Sequence, residues 1–229
     1  MSPANAEIEK RRLNVLWQYE VLDTIPEQLF DDLTELAAVI CEAPIALISM
    51  VDESRQWFKS RFGTTIEETS RDISFCAYAI QQSELFIIPD ATLDERFANN
   101  PLVISDPKIR FYAGAPLITP DGYALGTLCV IDTVPRELRP DQKQALRILA
   151  RHAVLQLELR RRTQDVRSGR ATMTEATPSG TDEEIARLKK ELAKARHDVR
   201  QQSKKTVTPR RAKKPIRSVS RPKTGRKKR

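Results

Sequence analysis

The chain has 229 residues, 40% of them hydrophobic, which is enough for one ordinary domain with a core plus an extension. Its formal net charge of +8 is unevenly placed, because residues 204–229 hold thirteen Lys or Arg and no acidic residue, which leaves the rest of the chain at −5. The chain has three widely spaced cysteines and two histidines, which excludes a disulfide scaffold and a zinc-finger pattern. No apolar run approaches the ~20 residues of a membrane span, which excludes a transmembrane helix. We therefore expect a cytoplasmic protein.

The beginning of the chain predicts two helices followed by a buried strand. Residues 8–22 contain no Gly or Pro and favour a helix. Thr24 with Glu27 three residues later has the pattern of a capping box, and Pro26 fits the first turn of a second helix. That helix has one apolar face, formed by Phe30, Leu33, Ala37 and Ile40. The continuous apolar run 45–51 predicts a strand buried on both faces.

The middle of the chain predicts two strands separated by a short helix, followed by a long loop. Residues 56–62 alternate, which places Phe58 and Phe62 on one face of a strand and Trp57, Lys59 and Arg61 on the other. Ser74 is a good N-cap for a helix extending through Ile80. Residues 85–88 predict a short strand, and residues 89–108 predict a long loop with a helical turn near Phe97.

A hairpin and a long helix follow. Residues 109–119 and 123–132 predict two strands joined at Asp121-Gly122, a turn that needs a positive φ. Residues 140–162 predict a long helix with two apolar stripes. One stripe faces the sheet, and the second, formed by Ile148, Leu155 and Leu159, predicts contact with another protomer, hence a homodimer.

The remaining residues predict three further segments after a domain at 1–166. Residues 167–180 are polar and turn-rich, as in a linker. Residues 181–202 predict a short coiled-coil-like helix, because apolar residues recur there at alternating steps of three and four. Residues 203–229 lack aromatic side chains and are densely basic, which predicts a disordered tail. The order of elements predicts an α+β fold, an antiparallel sheet flanked by helices.

Several segments carry a recognisable pattern, namely residues 19–24 with 26–27, 30–34, 71–80, 111–117 and 126–132. They resemble the GAF domains at the N-terminus of bacterial sensor histidine kinases and diguanylate cyclases. It implies the GAF fold, a pocket between the sheet and the loop layer above it, parallel dimers through terminal helices, and transfer of a signal to an attached output. We find no kinase ATP-binding sequence and no cyclase sequence after Arg162, so we expect the fold without that enzyme.

The pocket implied by the resemblance has nine candidate ligand-binding residues. They are Phe75, Cys76, Tyr78, Asp90, Asp94, Arg96, Phe97, Arg110 and Tyr112. Arg96 and Arg110 suit an anionic ligand, and Phe97 or Tyr112 suits stacking on a ring. The alternative is that Asp94 and Arg96 only tether the loop to the domain. The ligand, and any cofactor, stays unknown, and the motif of cyclic-nucleotide-binding members is not visible.

The cysteines do not indicate a catalytic site. Cys76 lies near the start of a helix, a position typical of a reactive thiol, but its apolar neighbours favour a small buried side chain. Reading it as a redox sensor or as a pigment-attachment point remains an alternative. Cys41 and Cys129 are predicted on a helix and on the last strand, with no reason to expect either beside Cys76. We therefore expect no enzyme activity and no metal site.

The function expected is sensory or regulatory, through a small ligand or a signalling protein. The alternative is a nucleic-acid-associated regulator that uses its basic tail, which suits phosphate contacts without base reading. The candidate residues for that contact are Lys204, Lys205, Arg210, Arg211, Lys213, Lys214, Arg217, Arg221, Lys223, Arg226, Lys227, Lys228 and Arg229. An anionic membrane surface or an acidic protein would suit the same charges.

Overall fold

The computed structural model describes residues 3–169, which form a six-stranded antiparallel sheet with helices on it. The strands are β1 Ile45–Val51, β2 Arg55–Phe62, β3 Glu68–Ser70, β4 Phe86–Ile88, β5 Phe111–Ile118 and β6 Ala124–Asp132, and the helices are α1 Pro3–Gln18, α2 Gln28–Cys41, α3 Phe75–Ala79, α4 Pro101–Ile104 and α5 Pro140–Arg167. The predicted α+β class with an antiparallel sheet is confirmed. The predicted linker lies almost wholly outside the described residues, and the helix at 181–202 and the basic tail lie wholly outside them.

The strand order β3-β2-β1-β6-β5-β4 places β1 and β6 at the centre, where each makes a long antiparallel pairing with the other. The continuous apolar runs explain this position, because a strand covered on both faces needs apolar side chains in both directions. Gly126 lets the two strands approach closely, since a Cβ there would lie 1.8 Å from the Ser49 carbonyl oxygen. The centre of the sheet therefore joins residues about eighty positions apart in the chain.

The sheet has a different cover on each face. The helix face carries α1, α2 and α5, whose apolar stripes pack with residues such as Ile48, Leu128 and Val130. The loop face carries α3, α4 and the segment 89–110, which pack with residues such as Leu47 and Ile131. Within residues 3–169 no helix has the length and apolar character needed to cross a membrane.

Two local expectations are wrong in the structure. Thr24 does not cap α2, because its hydroxyl donates to the Val21 carbonyl at 2.7 Å, and Pro26 precedes the helix. Lys59 is buried, because the register slips between Ile48 and Ser49, which pair with Ser60 and Phe58, and this bulge breaks the alternation of β2. Phe62 is consequently exposed beyond the bulge.

Other local expectations are confirmed. Ser74 caps α3, because its hydroxyl accepts from the Ala77 amide at 3.1 Å. Gly122 has φ +86° in the hairpin turn between β5 and β6. The loop after β4 turns near Phe97, whose amide donates to the Asp94 carbonyl, and it includes the short helix α4.

Candidate functional site

Aromatic rings fill the layer between the sheet and the loop segment. We call this set the aromatic cluster; it consists of Phe75, Tyr78, Phe86, Phe97 and Tyr112. The Phe75 and Phe97 rings stack at 4.1 Å with an interplanar angle of 7°, and the Tyr112 ring stacks on Phe75 with ring centres 5.2 Å apart. Four of the five rings are buried, and Tyr78 covers the cluster from α3 at the surface. Stacked and edge-on contacts of this kind each add to the energy of burial.

A glycine makes room for the innermost ring. Gly114 is on β5, two residues after Tyr112, so their side-chain positions point to the same face of the sheet. A Cβ at residue 114 would lie 2.2 Å from the Tyr112 hydroxyl oxygen and 2.8 Å from Cζ. The absence of that Cβ allows the Tyr112 ring to lie along the sheet and to carry its hydroxyl toward α3.

Beneath the rings lies a buried set of sulfur and hydroxyl groups, which we call the thiol cluster: Cys76, Cys129, Tyr112, Thr127 and Ser49. The sulfur atoms of Cys76 and Cys129 are 3.9 Å apart. The Thr127 hydroxyl donates to the Cys76 sulfur at 3.1 Å, and the Tyr112 hydroxyl donates to it at 3.3 Å. All five residues are at most 1% exposed.

The thiol cluster makes its two cysteines unequal. Burial alone would raise the pKa of Cys76, but hydrogen bonds from Cys129, Thr127 and Tyr112 hold it below the ordinary value of a thiol. The hydrogen bond to Cys76, together with burial, raises the pKa of Cys129 well above that value, and burial does the same to the Tyr112 phenol. Ser49 also faces the Cys76 sulfur and lowers its pKa, although no hydrogen bond of ordinary geometry satisfies the Ser49 hydroxyl among the described residues.

The charged candidates on the loop mostly hold the loop itself. Asp90 accepts from the amide and the hydroxyl of Thr92, and Asp94 forms an ion pair with Arg96 at 2.6 Å. The Arg96 guanidinium lies over the Phe86 ring at 4.9 Å and the Phe97 ring at 5.4 Å. Arg110 donates to the carbonyls of Val103, Lys108 and Ile109. Among the nine candidates, then, five meet in the two clusters, Arg96 covers the aromatic one, and Asp90, Asp94 and Arg110 fold the loop.

A chain of ion pairs links the start of this region to α1. Arg71, in the 3-10 turn that immediately precedes α3, lies 2.8 Å from Glu9 of α1. Glu9 also pairs with Arg12 at 2.8 Å, and the buried Arg12 guanidinium donates to the carbonyls of Val51 and Ala124. Hydrogen bonds from Arg12 and Arg71 lower the pKa of Glu9 against the opposing effect of burial. The network therefore joins α1 to the turn before α3, to the end of β1 and to the start of β6.

The partners of Cys76 were not predicted from the sequence. Cys129 was predicted on the last strand with no reason to lie beside Cys76, and neither Thr127 nor Ser49 was a candidate residue. The sequence did hold a signal that these two residues lie together, because Thr127 and Cys129 are two residues apart on β6 and therefore share a face of the sheet. The missing information was that α3 covers that face, which depends on the strand order.

The described side chains do not support metal binding. Within residues 3–169 no group of three or more His, Cys, Asp or Glu side chains could hold a metal ion. Two surface cavities lie away from both clusters. One of about 440 Å³ is lined by residues of α2 and of the end of β6, and one of about 260 Å³ lies around Lys59, between β2 and the segment before α2.

The chain is similar to one protein family and to a named bacterial protein. Residues 26–157 match the family model described as the GAF domain. Over 135 residues the chain is 46% identical to a cyclic di-GMP phosphodiesterase of Pseudomonas aeruginosa, and the match covers 59% of this chain but only 23% of that protein.

Solved GAF domains have similar structures at low sequence identity. The GAF domain from Acinetobacter phosphoenolpyruvate-protein phosphotransferase is 16% identical with a TM-score of 0.49, and the match covers 69% of this chain and 95% of that one. The blue-light absorbing form of the Thermosynechococcus elongatus PixJ GAF domain is 15% identical with a TM-score of 0.49, and the match covers 65% of this chain and 92% of that one.

Proposed function

Since the chain belongs to the GAF domain family, we propose that it is a sensory and regulatory module of bacterial signal transduction, located in the cytoplasm, which binds a small ligand or a protein partner and catalyses no reaction itself. The phosphodiesterase activity in the name of the Pseudomonas aeruginosa relative belongs to a protein of which this chain matches 23%. We therefore assign to this chain the regulation of an activity rather than the activity.

The thiol cluster is the observation that carries this proposal. A core built only for stability would place apolar groups at the centre of the sheet, because a buried hydroxyl is costly unless it is well hydrogen-bonded. Here three hydroxyls and two thiols meet under α3, and the Ser49 hydroxyl lacks a well-formed hydrogen bond among the described residues. Local departures of this kind concentrate at functional sites.

The ion-pair chain supplies the route by which a change at that cluster would reach the helix face. Cys76 and Arg71 are five residues apart on either side of the Ser74 cap, so a displacement of α3 moves the preceding turn as well. Arg71 contacts Glu9, and Glu9 contacts Arg12, so the position of α1 depends on the position of α3. In this proposal the helix face, including α1 and α5, delivers the signal to a second protomer or to an output protein.

Hydrogen exchange of the full-length chain tests this coupling. Tyr112→Phe removes the hydroxyl that reaches Cys76, and we expect faster exchange of α1 amides as well as of α3 amides. In an Arg71→Gln background the same substitution should alter exchange in α3 only. Arg61→Gln is the matched control, because the Arg61–Glu67 ion pair has a comparable length of 2.6 Å and includes no residue of α1. Unchanged α1 exchange in Tyr112→Phe would rule out the proposed route.

Charge supports a second candidate function, non-specific binding of nucleic acid by residues 204–229. Thirteen cations without an acidic residue in 26 positions form a polycation, while the rest of the chain is acidic. Contacts from such a segment go to phosphates before base edges. In this variant of the proposal a dimer of the folded part holds two basic arms on one duplex.

A further inference from the structure

We propose that Cys76 and Cys129 are a reversible redox pair that a small peroxide oxidises to an intramolecular disulfide. This inference rests on the proposed function, since it names the stimulus that the thiol cluster senses. Neither residue was expected to meet the other from the sequence, and the third cysteine, Cys41, has no part in it.

The geometry brings the two sulfurs close to bonding distance. They are 3.9 Å apart, and a disulfide bond is about 2.05 Å long, so they must approach by about 1.9 Å. Cys129 is held on a central strand that is hydrogen-bonded on both sides. Cys76 is on a five-residue helix that rests on the sheet, so most of the movement falls on Cys76 and α3.

The environment assigns a role to each thiol. Donation from Thr127 and Tyr112 stabilises negative charge on the Cys76 sulfur, which makes it the nucleophile, since the thiolate is the reactive form. Hydrogen bonding to Cys76 raises the pKa of Cys129, so that thiol keeps its proton and acts second. Cys41 provides an internal contrast, because burial among apolar side chains on the helix face raises its pKa to about 11.

The reaction balances with one peroxide molecule. The Cys76 thiolate attacks one peroxide oxygen, the O–O bond breaks, and the products are a sulfenic acid on Cys76 and hydroxide, which takes up the proton lost by Cys76 to form water. The Cys129 sulfur then attacks the sulfenic sulfur, the S–OH bond breaks, and the hydroxide leaves with the Cys129 proton as a second water. The two thiols together lose two electrons, and one molecule of hydrogen peroxide gains them and is reduced to two waters.

Burial selects the oxidant. Cys76 and Cys129 are 1% and 0% exposed under the aromatic cluster, so a reagent reaches them only through local opening of α3 or the loop. A small neutral peroxide needs a small opening. A bulky or charged disulfide needs the layer to separate, so the same pair should resist oxidised glutathione.

Oxidation would change the packing above the pair. The disulfide removes the charged acceptor that Tyr112 and Thr127 contact, so both hydroxyls need new partners. The Tyr112 ring is stacked on Phe75, the first residue of α3. A shift of that ring therefore moves the helix that carries Cys76 and, through Arg71, the contact with α1.

The test is to treat the full-length, reduced chain with a small molar excess of hydrogen peroxide. We expect the free thiols to fall from three to one, with the loss of two hydrogen atoms in mass and a peptide map that links Cys76 to Cys129. Dithiothreitol should restore all three, and oxidised glutathione should leave them free. Cys41→Ser should still form the bond, Cys129→Ser should stop at a sulfenic acid that dimedone traps on Cys76, and Cys76→Ser should keep both remaining thiols.

Several outcomes overturn the inference. Three free thiols after peroxide treatment, a bond that includes Cys41, or a bond only between two chains would each do so, and all are read from the unsubstituted protein. Hydrogen exchange of the α1 amides tests the proposed function separately. If the disulfide forms and α1 is unchanged, the redox pair stands and the route fails. If the thiols persist while Tyr112→Phe still alters α1, the route stands and the redox pair fails.

Discussion

At the scale of single residues, the position of the Tyr112 ring depends on the absence of a side chain at residue 114. The ring lies where a Cβ of residue 114 would point, and its hydroxyl reaches the Cys76 sulfur from there. A fully buried phenol needs this partner, because a lost hydrogen bond in the interior costs the full desolvation of the group. One glycine therefore supports both the aromatic cluster and the thiol cluster.

Gly114→Ala should destabilise the fold by about 1–3 kcal/mol, because the new methyl group overlaps the Tyr112 ring and forces it off the sheet. Urea denaturation measures the change. The control is a double-mutant cycle with Tyr112→Ala, in which the second substitution should cost much less once the ring is absent. Equal costs in the two backgrounds would mean that Tyr112 does not set the requirement for glycine.

Glu27 predicts a specific pH dependence of stability. It lies between Lys59 at 2.6 Å and Arg160 at 2.9 Å, and their hydrogen bonds lower its pKa although burial acts in the opposite direction. A folded pKa below the unfolded value of about 4.3 gives stabilisation that is complete above that pH and is lost as the pH falls through the folded pKa. Glu27→Gln should therefore flatten the acid side of the curve of unfolding free energy against pH.

The measurement is urea denaturation from neutral pH down to the acid transition. At neutral pH the Glu27→Gln variant should also lose about 1–3 kcal/mol, since the side chain of Lys59 is 0% exposed and loses its charged partner. Glu67→Gln is the control, because its ion pair with Arg61 is exposed and screened by solvent. An unchanged acid limb in Glu27→Gln would assign the acid transition to other groups.

At the scale of elements, α5 has one face on the sheet and one face in solvent. Leu146, Leu149 and Leu157 are buried on the helix face, whereas Leu155 and Leu159 are 56% and 57% exposed. Ile148 is 38% exposed on the same outer stripe. An exposed apolar stripe along a 28-residue helix suits the coiled-coil type of contact between protomers, which supports the proposed dimer.

Leu155→Glu combined with Leu159→Glu should convert a dimer into monomers that keep the folded core, because both side chains lie outside that core. Sedimentation velocity at micromolar concentration measures the state, and circular dichroism checks the fold. Leu93→Glu is the matched control, since Leu93 is 82% exposed on the loop and should leave the dimer intact. A monomeric unsubstituted protein would remove the dimer from the proposal.

Local signals predicted most of these elements, and long-range pairing explains what they missed. The apolar runs, the Ser74 cap and the Gly122 turn gave the strands, α3 and the hairpin, because each depends on neighbouring residues alone. The bulge that buries Lys59 depends on the register against β1. The meeting of Cys76 with Cys129 depends on the pairing of β1 with β6 and on α3 crossing them. Neither the bulge nor the contact between the two cysteines can be predicted from neighbouring residues alone.

At the scale of the whole molecule, charge divides the chain into an acidic part and a basic part. Residues 1–203 carry −5 and residues 204–229 carry +13. The described ion pairs, such as those of Glu9 and Glu27, are internal to the domain. A polyanion would therefore find its contacts on the basic segment rather than on the domain.

Deletion of residues 204–229 should abolish binding to duplex DNA and leave the melting temperature of the domain nearly unchanged, since the segment is densely basic and holds no aromatic side chain. If about six phosphates are neutralised, affinity should fall about a thousandfold between roughly 50 and 200 mM salt. Fluorescence anisotropy with a labelled duplex measures the loss of binding and the salt dependence of the affinity. A chain with a shuffled tail of equal composition should bind equally, and salt-independent binding would exclude nucleic acid as the partner.

The placement of the two tryptophans gives the protein a built-in optical reporter. Trp57 packs on the helix face. The Trp17 indole donates to the Asp52 carboxylate at 3.0 Å, and the carbonyl of the same Asp52 accepts from Arg71. The chain has no other tryptophan, so the loop face contributes only phenylalanine and tyrosine. A change in indole emission after a chemical event under α3 would therefore report a change beyond the loop face, and unlabelled protein in a cuvette can show whether it occurs.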